Sequence, residues 1–234
     1  MRPASLALRA SLAVLAVLTV ALAVDWVASR RTRTTVYAAP ATISRVELDL
    51  ASGSADVVGG RGEAIRVERT DRYAFGHPAV ERRSIAGGVL RVSSRCPRIL
   101  VGGCSASYRL TVPADVSVGV TTGAGHVHLD GFSGNAQLRS TSGEIAVDAF
   151  CGLELSATSG SGDVRVISAC APESLDVRTV SGDATAIVPP GHYRVAAQAA
   201  SGRLHVRGVL ASATAPFSLA VASRTGEVTV AGGL

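Results

Sequence analysis

One glycine in each of six short Ser-Gly, Thr-Gly or Ala-Gly turns recurs at nearly constant spacing, and this repeat restricts the fold more than any other feature. Gly125, Gly143, Gly162, Gly182, Gly202 and Gly226 stand 18, 19, 20, 20 and 24 residues apart. Two residues beyond each come Val127, Ile145, Val164, Ala184, Leu204 and Val228. Four beyond come Leu129, Val147, Val166, Ala186, Val206 and Val230, with mostly polar residues between. Alternation of this kind describes a strand with one buried face. A repeat of about 20 residues cannot bury that face alone, so stacked copies must share a core.

A second strand precedes each turn. Val120, Leu138, Val177, Ala197 and Val221 lie five residues before the glycine, and a small residue (Thr122, Ser140, Thr179, Ala199, Ser223) lies three before. The third repeat departs from this: Leu153 and Leu155 keep register only relative to Gly160, so its SGSG is read as a two-residue insertion forming a bulge. Residues 46–58 copy the pattern of 153–166 and read as a first coil. Residues 64–69, 88–93 and 106–112 read as further strands, and the polar stretch 70–87 as an excursion loop. The expected fold is therefore all-β: a parallel β-helix or β-roll over residues 43–234, with coils of about 20 residues. An antiparallel sandwich also has short alternating strands, but not this column-by-column match.

Residues 10–24 carry no charge, and apolar character resumes through Trp26, Val27 and Ala28 after Asp25. Such a run meets the roughly 20 residues a membrane-spanning helix needs. Residues 1–29 are thus expected to be an N-terminal transmembrane anchor, with 30–42 as a linker. The competing reading is a signal peptide cleaved after Ala21-Leu22-Ala23, which yields a secreted domain. Arginines flank the run on both sides, so charge does not orient it.

Those same arginines account for most of the +5 formal charge. Beyond residue 33 the chain holds 18 arginines against 17 acids, which excludes the concentrated basic face that nucleic-acid binding requires.

The segment 108–206, beginning YRLTVPADVSVGVTTGAGHVHL and running through the SGE, SGD and SGR turns, resembles the DUF4097 family. Val112-Pro113 and the strand VLRV (89–92) extend the resemblance over about residues 44–232. It implies a right-handed parallel β-helix or β-roll beside a membrane segment, under a family label of adhesin. It carries over no catalytic or binding residues.

Cys151 and Cys170 each lie eight residues past a turn glycine. Equivalent positions on neighbouring coils sit about 4.8 Å apart, within disulfide range. Cys96 and Cys104 bracket PRILVGG and form a second expected pair. Two such pairs point to an oxidising compartment, hence an extracytoplasmic domain. Buried free thiols are the alternative; zinc is not, because the spacings are unlike those of its ligand pairs.

Glu144, Asp163 and Asp183 form an acidic column that invites a divalent cation, and His126 with His128 a ligand pair, yet each has a plainer reading as a solvated face. No metal, cofactor or catalytic residue is assigned. The expected function is a non-catalytic binding or adhesion-like module at the cell envelope, attached to the membrane, with a glycan or protein ligand. A scaffold that polymerises end to end is the alternative, and a polysaccharide-active enzyme is a weaker third.

Overall fold

The computed structural model describes residues 15–17, 19–20, 30–40, 42–98, 103–114 and 116–233. Most of the expected anchor (1–29) lies outside these. Among the described residues, no helix is long and apolar enough to cross a membrane.

Among the described residues, twenty strands form two ten-stranded sheets. The chain enters through β1 (Arg31–Ala39), then makes a first coil from β2 (Arg45–Leu50) and β3 (Ala55–Gly60). Next come β4 (Ile65–Tyr73), β5 (Val80–Ala86), β6 (Val89–Arg95) and β7 (Cys104–Pro113). Four regular coils follow: β8 (Ser117–Ala124) with β9 (Val127–Asp130), β10 (Ala136–Ser142) with β11 (Ile145–Phe150), β12 (Glu154–Ser161) with β13 (Val164–Ser168), and β14 (Ser174–Ser181) with β15 (Ala184–Val188). The chain ends with β16 (His192–Ser201), β17 (Leu204–Arg207), the two-residue β18 (Leu210–Ala211), β19 (Phe217–Thr225) and β20 (Val228–Gly232).

The repeat columns are the ladders of this stack. Val127, Ile145, Val164, Ala184 and Val228 pair in parallel register and are fully buried, as are Leu129, Val147, Val166, Ala186 and Val230. The opposite sheet contributes Val120, Leu138, Ala157, Val177 and Val221. With aromatics only 4% of the chain, this interlayer is aliphatic. It satisfies backbone hydrogen bonding through the ladders and removes the apolar faces from water.

Several expectations need correction. The third coil has no insertion: Leu155, Ala157 and Ser159 pair with Ala136, Leu138 and Ser140, in step with Gly162, while Leu153 is exposed. The copying of 153–166 by 46–58 is likewise two residues out of step, because Ala55 pairs with Val127. Residues 70–87 hold the end of β4 and all of β5, where a loop was expected. The expected linker contains β1, which pairs antiparallel with β4 from Arg31–Tyr73 to Ala39–Ile65.

The coils also do not stack in chain order. At one end, antiparallel pairs β1–β4, β4–β7 and β5–β6 replace the parallel ladder, and the first coil lies inside them. At the other, β19 and β20 are inserted between the β14–β15 coil and the β16–β17 coil. The inserted coil carries Leu219, Val221, Val228 and Val230, all fully buried. The displaced coil holds Ala197 and Ala199, and its Leu204 and Val206 are 47% and 45% exposed. Covering the larger side chains on both sides removes more apolar area from water than the chain-order arrangement does.

Candidate functional site

The six turn glycines adopt φ between +136° and +150°, and Gly53 joins them at +135°. They stack directly. A Cβ on Gly143 would lie 2.1 Å from the Gly125 carbonyl oxygen, so the close approach itself requires glycine. The small residue three positions earlier is a second device. Thr122, Ser159, Thr179 and Ser223 each donate a hydroxyl hydrogen bond to the turn-glycine carbonyl of the adjacent coil, at 2.8–3.1 Å.

The acidic column belongs to the same turns. The insertion of β20 places Glu227 beside Asp183, so Glu144, Asp163, Asp183 and Glu227 occupy successive coils. Two of these carboxylates serve the backbone: Asp163 Oδ1 accepts from the Asp183 N–H and Asp183 Oδ1 from the Glu227 N–H, both at 2.8 Å. His126, at the end of the column, approaches Glu144 at 4.0 Å, and Arg203 pairs with Glu227 at 3.1 Å. His126 and His128 are not brought together as ligands; among the described residues no group of three His, Cys, Asp or Glu side chains has metal-holding geometry.

His128 lies instead in a row of charges across five adjacent strands on the outer face of its sheet. Its Nδ1 is 3.2 Å from Asp56 Oδ1 and its Nε2 is 3.3 Å from Asp148 Oδ2. Arg109 donates to Asp56 at 2.8 Å and Arg165 to Asp148 at 3.3 Å. The order along the stack is Arg109, Asp56, His128, Asp148, Arg165, all partly exposed. Solvent-exposed pairs of this kind contribute little to stability, about 0–1 kcal/mol each. The row is a fixed pattern of donors and acceptors facing outward. Asp56 stands three past Gly53 as His128 does past Gly125, a match hidden by reading the first coil two residues out of step; Arg109 had no such signal, because β7 lies outside the repeat.

The outer face of the other sheet carries an open groove of about 450 Å³. Ser117, Asn135, Gln137, Glu154, Ser156 and Asp176 line it, from coils that the parallel register brings side by side. Asn135 Oδ1 accepts from the Glu154 backbone N–H at 3.2 Å, fixing the amide at the start of the groove. Hydroxyls, carboxamides and carboxylates at a strand spacing of about 4.8 Å suit a ligand rich in hydroxyl groups.

A third cluster is enclosed between the sheets at the antiparallel end. Arg69 bonds Asp71 Oδ1 through Nε at 3.0 Å and Glu81 Oε2 through Nη1 at 3.1 Å. The buried Tyr108 donates its hydroxyl to the same Glu81 oxygen at 2.9 Å, and the Arg83 guanidinium lies 4.1 Å above the Tyr37 ring. Within 70–87 only a few charges turn inward: Asp71 and Glu81 are enclosed and neutralised by Arg69, while the rest of β5 stays exposed.

Burial, reinforced by the charge of Glu81, pushes the Tyr37 phenol up to about 12 and raises Tyr108 still further. Unfolded tyrosine ionises near pH 10. The stabilisation from keeping both phenols neutral is therefore complete below about pH 10 and is lost as pH rises from there through about 12. Urea midpoints should fall across that window, and the fall should be shallower in Tyr37→Phe.

The sulfur atoms pair as expected: Cys151 with Cys170, at a Cα–Cα distance of 4.7 Å, and Cys96 with Cys104, at 5.7 Å. The first links adjacent coils just beyond β11 and β13. Cys151→Ser/Cys170→Ser should cost about 3 kcal/mol, the closure entropy of a loop of this length, read from urea midpoints of the two chains.

These elements define a disulfide-pinned solenoid of two mostly parallel sheets with polar outer faces. Residues 111–215 match the family model described as Toastrack DUF4097. The structure resembles that of a candidate cell adhesion protein from Clostridium sporogenes, with a TM-score of 0.51 at 11% identity, covering 87% of this chain and all of that one. A candidate adhesin from Bacteroides fragilis aligns with a TM-score of 0.47 at 11% identity, over 87% of this chain and 97% of its own. At 11% identity the first likeness is one of fold. No curated protein is similar enough to this chain to count as a match.

Proposed function

We propose that this chain is a non-catalytic, adhesion-like binding module of the cell envelope, held to the membrane by residues 1–29 with its β domain outside the cytoplasm. The carrying observation is the open groove of Ser117, Asn135, Gln137, Glu154, Ser156 and Asp176, whose chemistry fits the hydroxyls of an envelope glycan. The two disulfides support the extracytoplasmic side. The adhesion-like character of the C. sporogenes neighbour is in keeping with this reading, as is the apolar run before Arg30 with the reading as an anchor. Full-length protein in detergent micelles, applied to a glycan array, is expected to bind a defined set of polysaccharides, and Gln137→Ala/Glu154→Ala to lose them. Binding that survives both substitutions contradicts the groove, and no binding to any glycan contradicts the ligand class. Detection of the mature chain in the culture medium, beginning near Val24, contradicts the anchor.

A further inference from the structure

The two poles of the stack differ in how their strand edges are protected. At the antiparallel pole, β1 carries Arg31 and Arg33, and β5 carries Glu81, Arg82 and Arg83. Charges on an edge strand discourage pairing with another chain. The opposite pole ends in β17 in one sheet and β16 in the other, with β18 covering β16 only at His192 and Tyr193. Among the described residues no strand pairs with the outer edge of β16 beyond Tyr193. From Val195 to Ser201 that edge reads VAAQAAS, with no charge, no proline and no bulge against β19. Beside it, Leu204, Val206 and Leu210 are 47%, 45% and 60% exposed.

We infer that the pole formed by β16 and β17 docks a second copy of this chain, pole to pole, through antiparallel pairing of β16 with β16 and of β17 with β17. A single peptide strand completes one edge and leaves the other open. Completing both takes a partner that presents two strand edges about 10 Å apart, the spacing of two packed sheets. The same pole of a second copy presents them. A two-fold axis along the sheet normal keeps each sheet continuous and reverses strand direction, which makes the contact self-complementary. Centred on Gln198, this register sets Val195 against Ser201 of the second copy, Ala196 against Ala200 and Ala197 against Ala199, clear of β18 at His192 and Tyr193. Within the β16 pair no charge meets its like. The antiparallel pole of the chain would bring arginines to the same edge, so the contact closes as a dimer and does not propagate into a polymer.

The pairing stands without the anchor; its orientation rests on the function proposed above. β1, which follows the N-terminal segment, is nine strand positions from β17, about 43 Å along the stack. With residues 1–29 in a membrane, the open pole faces away from it, and the dimer bridges two opposing surfaces.

Sedimentation of the full-length chain in density-matched detergent micelles tests the pairing. At about 50 µM, a range that detects weak specific association, the wild-type chain is expected at twice the chain mass. Ala196→Lys/Gln198→Lys changes two exposed side chains on one face, Gln198 opposite its own copy and Ala196 diagonal to it, and like charges there oppose pairing. It is expected at once the chain mass, as is Ala196→Glu/Gln198→Glu. Mixing the two variants should restore the doubled mass, which also shows that both are folded. Thr32→Lys/Thr34→Lys, at the other pole, should leave the dimer intact. A wild-type monomer, a dimer insensitive to the β16 charges, or a mixture that stays monomeric overturns the inference. Vesicles bearing the wild-type chain should cluster. Dimers in micelles without vesicle clustering would overturn the bridging orientation alone.

Discussion

Val166→Asp is expected to abolish folding, whereas Val206→Asp, at the equivalent position of another coil, should leave the domain folded. Val166 is fully buried, paired in register with Val147 on one side and Ala186 on the other. An aspartate there places a carboxylate in the aliphatic interlayer with no donor or cation to meet it. Leaving such a group unpaired costs several kcal/mol, to which the lost burial of valine adds about 2 kcal/mol. That sum rivals the total stability of an ordinary domain, about 5–15 kcal/mol. Val206 is 45% exposed on the terminal coil, so its carboxylate stays in water and should cost about 1 kcal/mol or less. Thermal melts followed by circular dichroism under non-reducing conditions separate the outcomes. A cooperative native-like melt for Val166→Asp contradicts the register, and unfolding of Val206→Asp contradicts the stacking order.

Removing the arginine of the enclosed cluster should be the next most damaging change. Arg69, Asp71 and Glu81 have side chains only 13%, 6% and 14% exposed. In Arg69→Met, two carboxylates remain between the sheets without their counter-charge, and Tyr108 alone still donates to one of them. Breaking a buried pair by removing one partner costs about 3–5 kcal/mol. The wild-type pair itself contributes far less, because desolvation offsets most of its attraction. Arg69→Met/Asp71→Val/Glu81→Gln should therefore recover most of the loss, with the glutamine still able to accept from Tyr108. Urea midpoints of the three chains decide this. A single variant as stable as wild type shows the cluster to be hydrated, and a triple variant as weak as the single one shows that packing outweighs charge.

The coil register could be read from the sequence because glycine and alternation act together. Gly143 or Gly162 marks the turn, and the residues two and four beyond it must face inward. The third coil shows where alternation fails. Moving a strand by two residues leaves every side chain on its original face, so Leu153-Glu154-Leu155 fits two registers equally well. Only the ladder, with Leu155 against Ala136, chooses between them. Stacking order was hidden for a related reason: the repeat says what each coil buries, and not which coil lies above it. The insertion of the β19–β20 coil follows from comparing how much each coil has to bury, Leu219 and Val228 against Ala197 and Ala199. Strands β1 and β5 escaped notice because they are exposed over most of their length, and their partly enclosed residues Tyr37 and Glu81 meet partners from distant strands. The groove combines residues such as Ser117, Gln137 and Glu154, unremarkable singly and adjacent only once the coils are stacked.

Peptide mapping without reductant, on protein from the membrane fraction alkylated at the moment of lysis, tests the disulfide-pinned solenoid and its proposed extracytoplasmic placement most directly. The expected result is two cross-linked peptide pairs, Cys151 with Cys170 and Cys96 with Cys104, and no alkylated cysteine. Free alkylation of all four thiols would contradict the extracytoplasmic placement, and a Cys151–Cys96 link would contradict the stacking of adjacent coils.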